Sequence, residues 1–89
     1  MSWIKIQTTL IDDPAVSAIA ARLRMTETHV VGCLVAVWAW ADNLTVDGFV
    51  LHATPAQVDR KAGKKGFAEA MEDVGWLGHD ALGVRFPKW

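Results

Sequence analysis

The segment Gly75-Trp76-Leu77 constrains this chain most, because a helix has to stop there and a different structure has to begin. Before it, Phe67, Ala70, Met71 and Val74 fall at i, i+3, i+4 and i+7, the stripe that turns one helix face into a core. Gly75 suits the end of that helix, since glycine takes the left-handed cap conformation without a Cβ penalty. After it, Trp76-Leu77 and Val84-Arg85-Phe86 read as two short strands around the loop Gly78-His79-Asp80-Ala81-Leu82-Gly83. The chain therefore closes on a helix followed by a hairpin.

Upstream, Asp12-Asp13-Pro14 starts a helix over 13–24, with Asp13 as N-cap and Pro14 at the first helical position. Val16, Ile19, Ala20 and Leu23 form its apolar stripe, and Arg22 and Arg24 in its last turn suit the helix dipole. Thr26 opens a second helix over 26–44. Val30, Val31, Leu34, Val35, Val37, Trp38, Trp40 and Ala41 surround that helix on nearly every side. Residues two apart on a helix point about 200° away from each other, so Trp38 and Trp40 face different neighbours. Such a helix is either central to the domain or half in a subunit interface. Gly32 within it costs about 1 kcal/mol relative to alanine, which close approach by another helix would explain.

Asp47-Gly48 is a turn and Phe49-Val50-Leu51 a short strand. Thr54-Pro55 opens a third helix over 55–62. Gly63-Lys64-Lys65-Gly66 breaks the chain before the fourth helix over 66–74, and 75–86 is strand, wing and strand. At the N-terminus, residues 1–11 read as an extended arm, with weak alternation across Trp3-Ile4-Lys5-Ile6-Gln7. The expected fold is mainly α with a small antiparallel β wing: a winged helix-turn-helix with an extra N-terminal helix, as a single domain over 1–89.

With 89 residues the core has to be dense, and an apolar fraction of 52% with five tryptophans supplies it. One cysteine excludes an intramolecular disulfide and fits a reducing compartment. The N-terminus lacks the order of a signal peptide, and the uncharged stretch His29 to Ala41 is too short to cross a bilayer. A cytoplasmic protein with no membrane partner is expected. The net charge of −1 supplies no general basic field, so any nucleic-acid contact has to come from a local cluster.

That cluster is Arg60, Lys61, Lys64 and Lys65, at the end of the third helix, in the turn, and before the fourth. Helix-start amides together with lysines suit phosphate oxygens, which points to double-stranded DNA. A solvated loop charged for solubility is the alternative. The fourth helix argues against base reading: its outer face carries Glu69, Glu72 and Asp73, which repel phosphates, and it offers no Arg, Asn or Gln. The wing loop, with His79 and Asp80, has no cation either.

His29 and Cys33 share a helix face at i and i+4, but two ligands do not make a zinc site. No phosphate loop, nucleophile setting or isolated carboxylate pair is present, so neither catalysis nor a cofactor is expected. Trp38, Trp40 and Trp76 read most simply as core. Trp3 and Trp89 read as a lid on that core or as a partner surface.

Trp3, Gly32 and Leu34, Trp38-Ala39-Trp40-Ala41, Asp47-Gly48-Phe49, Phe67, Gly75-Trp76-Leu77 and the closing Phe86-Pro87-Lys88-Trp89 together resemble a phage family. The pattern looks like the winged-helix N-terminal domain of phage and prophage replication-initiation (replisome organiser) proteins, and it spans nearly the whole chain. The resemblance implies a role in DNA replication, with other replication proteins as partners. Two readings follow. One is a winged helix touching DNA phosphates weakly through Arg60, Lys61, Lys64 and Lys65. The other is a winged helix used for protein association without DNA. A homodimer is also expected, through Val31, Val35, Trp38 and Trp40 of the second helix. The competing expectation is that Trp3, Ile4 and Ile6 of the arm cap that helix within one chain.

Overall fold

A computed structural model describes residues 9–87. In chain order the elements are α1 (Pro14–Leu23), α2 (Glu27–Asp42), β1 (Phe49–Leu51), α3 (Pro55–Ala62), α4 (Phe67–Asp73), β2 (Gly78–His79) and β3 (Gly83–Arg85). The three strands form an antiparallel sheet in the order β1-β3-β2, with Val50 opposite Val84 and Gly78 opposite Arg85. A mainly α domain thus carries a small antiparallel wing, and α1 precedes the helix–strand–helix–helix–hairpin order.

The helix starts follow from local chemistry. Asp13 accepts from the Ala15 N–H at 2.8 Å, and Thr26 accepts from the His29 N–H at 3.1 Å. Thr54 and Gln57 make a reciprocal capping box at the start of α3. At the end of α4, Gly75 takes φ 79°, its N–H reaches the Glu72 carbonyl, and the Trp76 N–H reaches the Met71 carbonyl. That pair satisfies the last carbonyls of the helix and turns the chain toward the wing. Arg24 plays the corresponding part after α1 with φ 56°, a left-handed conformation costing a non-glycine residue roughly 1–2 kcal/mol.

The core gathers Val16 and Ile19 from α1, Val30, Leu34 and Val37 from α2, Val58 from α3, Phe67 and Met71 from α4, and Val84 from the sheet, all fully buried. Neighbours surround α2 on most sides, which is why its sequence is apolar nearly all round: α1, α3 and the turn before α1 all pack on it.

Several expectations change. The stretch before α1 is not extended as far as residue 11: Leu10–Asp12 is a 3-10 turn held by the Asp12 and Asp13 N–H groups on the Thr9 and Leu10 carbonyls. The rest of the expected arm, with Trp3, Ile4 and Ile6, lies outside the described residues, as do Lys88 and Trp89. The second helix ends at Asp42, not 44. The first wing strand is Gly78–His79, not Trp76-Leu77, because Leu77 is buried as a core plug and Trp76 packs on Trp38 at 6.1 Å between ring centres. The second begins at Gly83, one residue early. There the Asp80 carboxylate closes a tight turn by accepting from the Leu82 and Gly83 N–H groups.

Gly32 is exposed, and a Cβ built on it meets nothing within 4 Å among the described residues, so none of the described helices approaches it closely. Trp38, Trp40 and Trp76 are half-buried and edge the core rather than filling it.

Candidate nucleic-acid interface

The turn between α3 and α4 is built around one side chain that the sequence pattern did not single out. Asp59, in the last turn but one of α3, reaches over the turn: one carboxylate oxygen accepts from the Gly66 N–H at 3.0 Å and the other from the Ala68 N–H at 2.8 Å. Gly63 and Gly66 both take positive φ, 74° and 85°, which lets the backbone fold back under Asp59. Gly66 has no side chain with which to cap α4, and Asp59 supplies the missing acceptor. The amides expected to cradle phosphate at the start of α4 therefore already donate inside the chain. With seven residues and that carboxylate over its first turn, α4 offers no anion site of its own.

The basic residues remain. Arg60 and Lys61 lie exposed on the last turn of α3, Lys65 lies exposed in the turn, and Lys64 is half-buried there. None of the four makes an ion pair or side-chain hydrogen bond among the described residues. The dipole of α3 accounts for charge at Arg60 and Lys61. It gives no reason for charge at Lys64 and Lys65. Lys64 sits near enough to the Cys33 thiol of α2 to lower its pKa, against the stronger upward push from burial. A thiol held in its neutral form this way is a poor nucleophile and a poor metal ligand. His29 is exposed, and no group of three metal-ligating side chains gathers among the described residues.

The three carboxylates of α4 are engaged by neighbouring elements. Arg22 of α1 pairs with Glu69 at 2.8 Å and with Asp73. Glu72 lies 2.7 Å from Nδ1 of His79, which ties the wing to α4. The wing itself carries one further cation, Arg85, whose guanidinium sits 5.1 Å from the centre of the Phe49 ring and is used there. These contacts were out of reach of the sequence pattern, since Arg22 and Glu69 stand 47 positions apart.

Of the residues expected at a dimer contact, Val31, Val35, Trp38 and Trp40 are all half-buried. Trp38 is covered by Trp76, and Trp40 borders an open groove of about 170 Å³ together with Leu44, Leu51 and Gln57. The exposed stripe of α2 runs instead through His29, Gly32 and Ala36, toward the C-cap residue Asn43. No helix of the described residues is long and apolar enough to cross a membrane. Compared with known proteins, the chain matches no family model, no curated protein and no solved structure.

Proposed function

We propose that this domain attaches to double-stranded DNA through backbone phosphates, weakly and without reading sequence, using Arg60, Lys61, Lys64 and Lys65. One observation carries the reading. The four cations have no carboxylate partner among the described residues, whereas the acids beside them are engaged: Asp59 by backbone amides, Glu69 and Asp73 by Arg22, and Glu72 by His79. The segment from Asp59 to Gly66 carries four cations and one carboxylate, a local excess of positive charge in a chain whose net charge is −1. A role in phage-type replication initiation, alongside other replication proteins, follows from the resemblance of the sequence and stands or falls with DNA attachment.

Anisotropy of a labelled duplex titrated with the full chain tests this. Binding through phosphates falls linearly in log–log salt with slope about −0.9 per phosphate neutralised. Lys64→Glu with Lys65→Glu should abolish binding, with an unchanged far-UV spectrum and melting temperature showing that the fold persists; neither lysine makes an ion pair or side-chain hydrogen bond among the described residues. Unchanged affinity in that double variant rejects the site.

A second reading, association of two copies through α2 without DNA, is favoured by the exposed small residues Gly32 and Ala36 on a helix whose flanks, Val35 and Ala39, are half-buried. Sedimentation of the chain and of Gly32→Ala tests it.

A further inference from the structure

The turn after α1 lies near the turn between α3 and α4. Leu23 ends α1, and its Cδ2 lies 3.6 Å from where a Cβ on Gly66 would stand, so α1 finishes against the α3–α4 turn. Arg24, the next residue, leads into the α1–α2 turn and so directly follows the residue whose side chain meets the α3–α4 turn. It is exposed, and it makes no ion pair or side-chain hydrogen bond among the described residues. Arg22, two positions earlier, pairs with Glu69 and Asp73. The backbone at Arg24 is left-handed, with φ 56° and ψ 51°. Glycine or asparagine is the ordinary solution at such a helix end, so stability does not account for an arginine.

The long side of α4 is closed to a groove. A duplex laid along it meets α1, bridged to α4 by Arg22, and then the carboxylates of Glu69 and Asp73. The two turns hold Arg24, Lys64 and Lys65, of which Arg24 and Lys65 are exposed and Lys64 is half-buried. Glu27, the acid nearest Arg24 in sequence, sits in the first turn of α2, where the helix dipole accounts for it.

We infer that Arg24 is a phosphate-binding residue, and that the domain meets duplex DNA end-on, with the α1–α2 and α3–α4 turns on the backbone and α4 outside the major groove. This rests on the DNA-binding reading above. Each phosphate contact releases counterions, so the salt slope counts the contacts, and a phosphate contact weakens binding equally on every sequence when it is removed.

The test titrates the full chain and Arg24→Gly against two duplexes of unrelated sequence, from about 50 to 200 mM salt. Glycine relieves the left-handed backbone, so the variant keeps its fold and melts at or above the wild-type temperature. The expected result is a slope shallower by about 0.9 on both duplexes and a loss of about five- to tenfold in affinity near 0.1 M salt, with Arg24→Lys restoring the slope. An unchanged slope in Arg24→Gly, with binding still abolished by Lys64→Glu and Lys65→Glu, overturns the role of Arg24 and spares the turn site. A preference of more than about tenfold between the duplexes overturns the end-on approach, since phosphate contacts carry no sequence information. Absence of duplex binding by the wild-type chain overturns both readings.

Discussion

Asp59 belongs to α3 but holds the start of α4. Its two oxygens satisfy the N–H groups of Gly66 and Ala68, so its removal leaves two partly buried donors without partners. Asp59→Ala should destabilise the domain by about 1–2 kcal/mol, the usual cost of losing an N-terminal cap, read as a lower urea midpoint with unchanged slope. Asp59→Asn, which keeps one acceptor, should cost less. An alanine variant as stable as the wild type would mean that the turn closes without the carboxylate. A second acid, Asp47, behaves as a local latch before β1. The Phe49 N–H, then the Thr45 hydroxyl, hold its carboxyl below the ordinary aspartate value. A carboxyl depressed in the folded state adds stability that is fully present above its unfolded value, near about pH 4, and is lost as pH falls through the folded value. Asp47→Asn should therefore flatten the fall of the melting temperature below about pH 4. Parallel profiles for the two proteins would remove the latch.

At the scale of elements, the sheet depends on one glycine. A Cβ on Gly83 would stand 2.2 Å from the Val50 carbonyl oxygen and 3.1 Å from the Leu51 Cα, and backbone atoms yield little. Gly83→Ala should cost about 1–3 kcal/mol and loosen the β1–β3 pairing, visible as faster amide exchange at Val50 and Val84. Exchange at wild-type rates would show that the strands have room to part. Why some elements were legible in the sequence and others were not follows from range. Asp13, Thr26, Thr54 and Gly75 act on groups two to five residues away, so their roles stand in the local order of residues. The helices accordingly lie close to where they were expected. Strands of two or three residues have no period to read, and Trp76-Leu77 looks like a strand in isolation. Only the packing of Leu77 into the core and of Trp76 on Trp38 moves the pairing on to Gly78. Asp59 reaches seven and nine residues ahead across a double-glycine turn, and Arg22 reaches α4 across the whole domain. No local pattern marks either, and so the cations could be nominated from sequence while the fate of the acids beside them could not.

For the whole molecule the open question is whether α2 pairs with a second copy, and magnitudes bear on it. A stable interface buries about 1,200–2,000 Å² in total. The broad apolar patch expected on α2 is largely spent inside the chain: Val31, Trp38 and Trp40 pack against the core, and Trp38 is capped by Trp76. What remains on the outside, Gly32 and Ala36 with the edge of Val35, is a narrow strip of small residues. The larger exposed aliphatics are Ile11 in the turn before α1, Leu44 and Val46 between α2 and β1, Leu51 at the end of β1, and Leu82 in the wing. Gly32→Ala separates the two cases. A methyl there meets nothing within 4 Å among the described residues, so against those residues only helix propensity changes. The variant should then be more stable by about 0.5–1 kcal/mol in urea unfolding, with both proteins sedimenting at the 9.8 kDa of one chain at micromolar concentration. A contact between two α2 helices that used the glycine for close approach would give the opposite signs. The wild type would run at twice that mass, and the methyl would drive the variant toward the monomer. A dimer insensitive to Gly32→Ala would instead move the interface to the exposed aliphatics Leu44, Leu51 and Leu82.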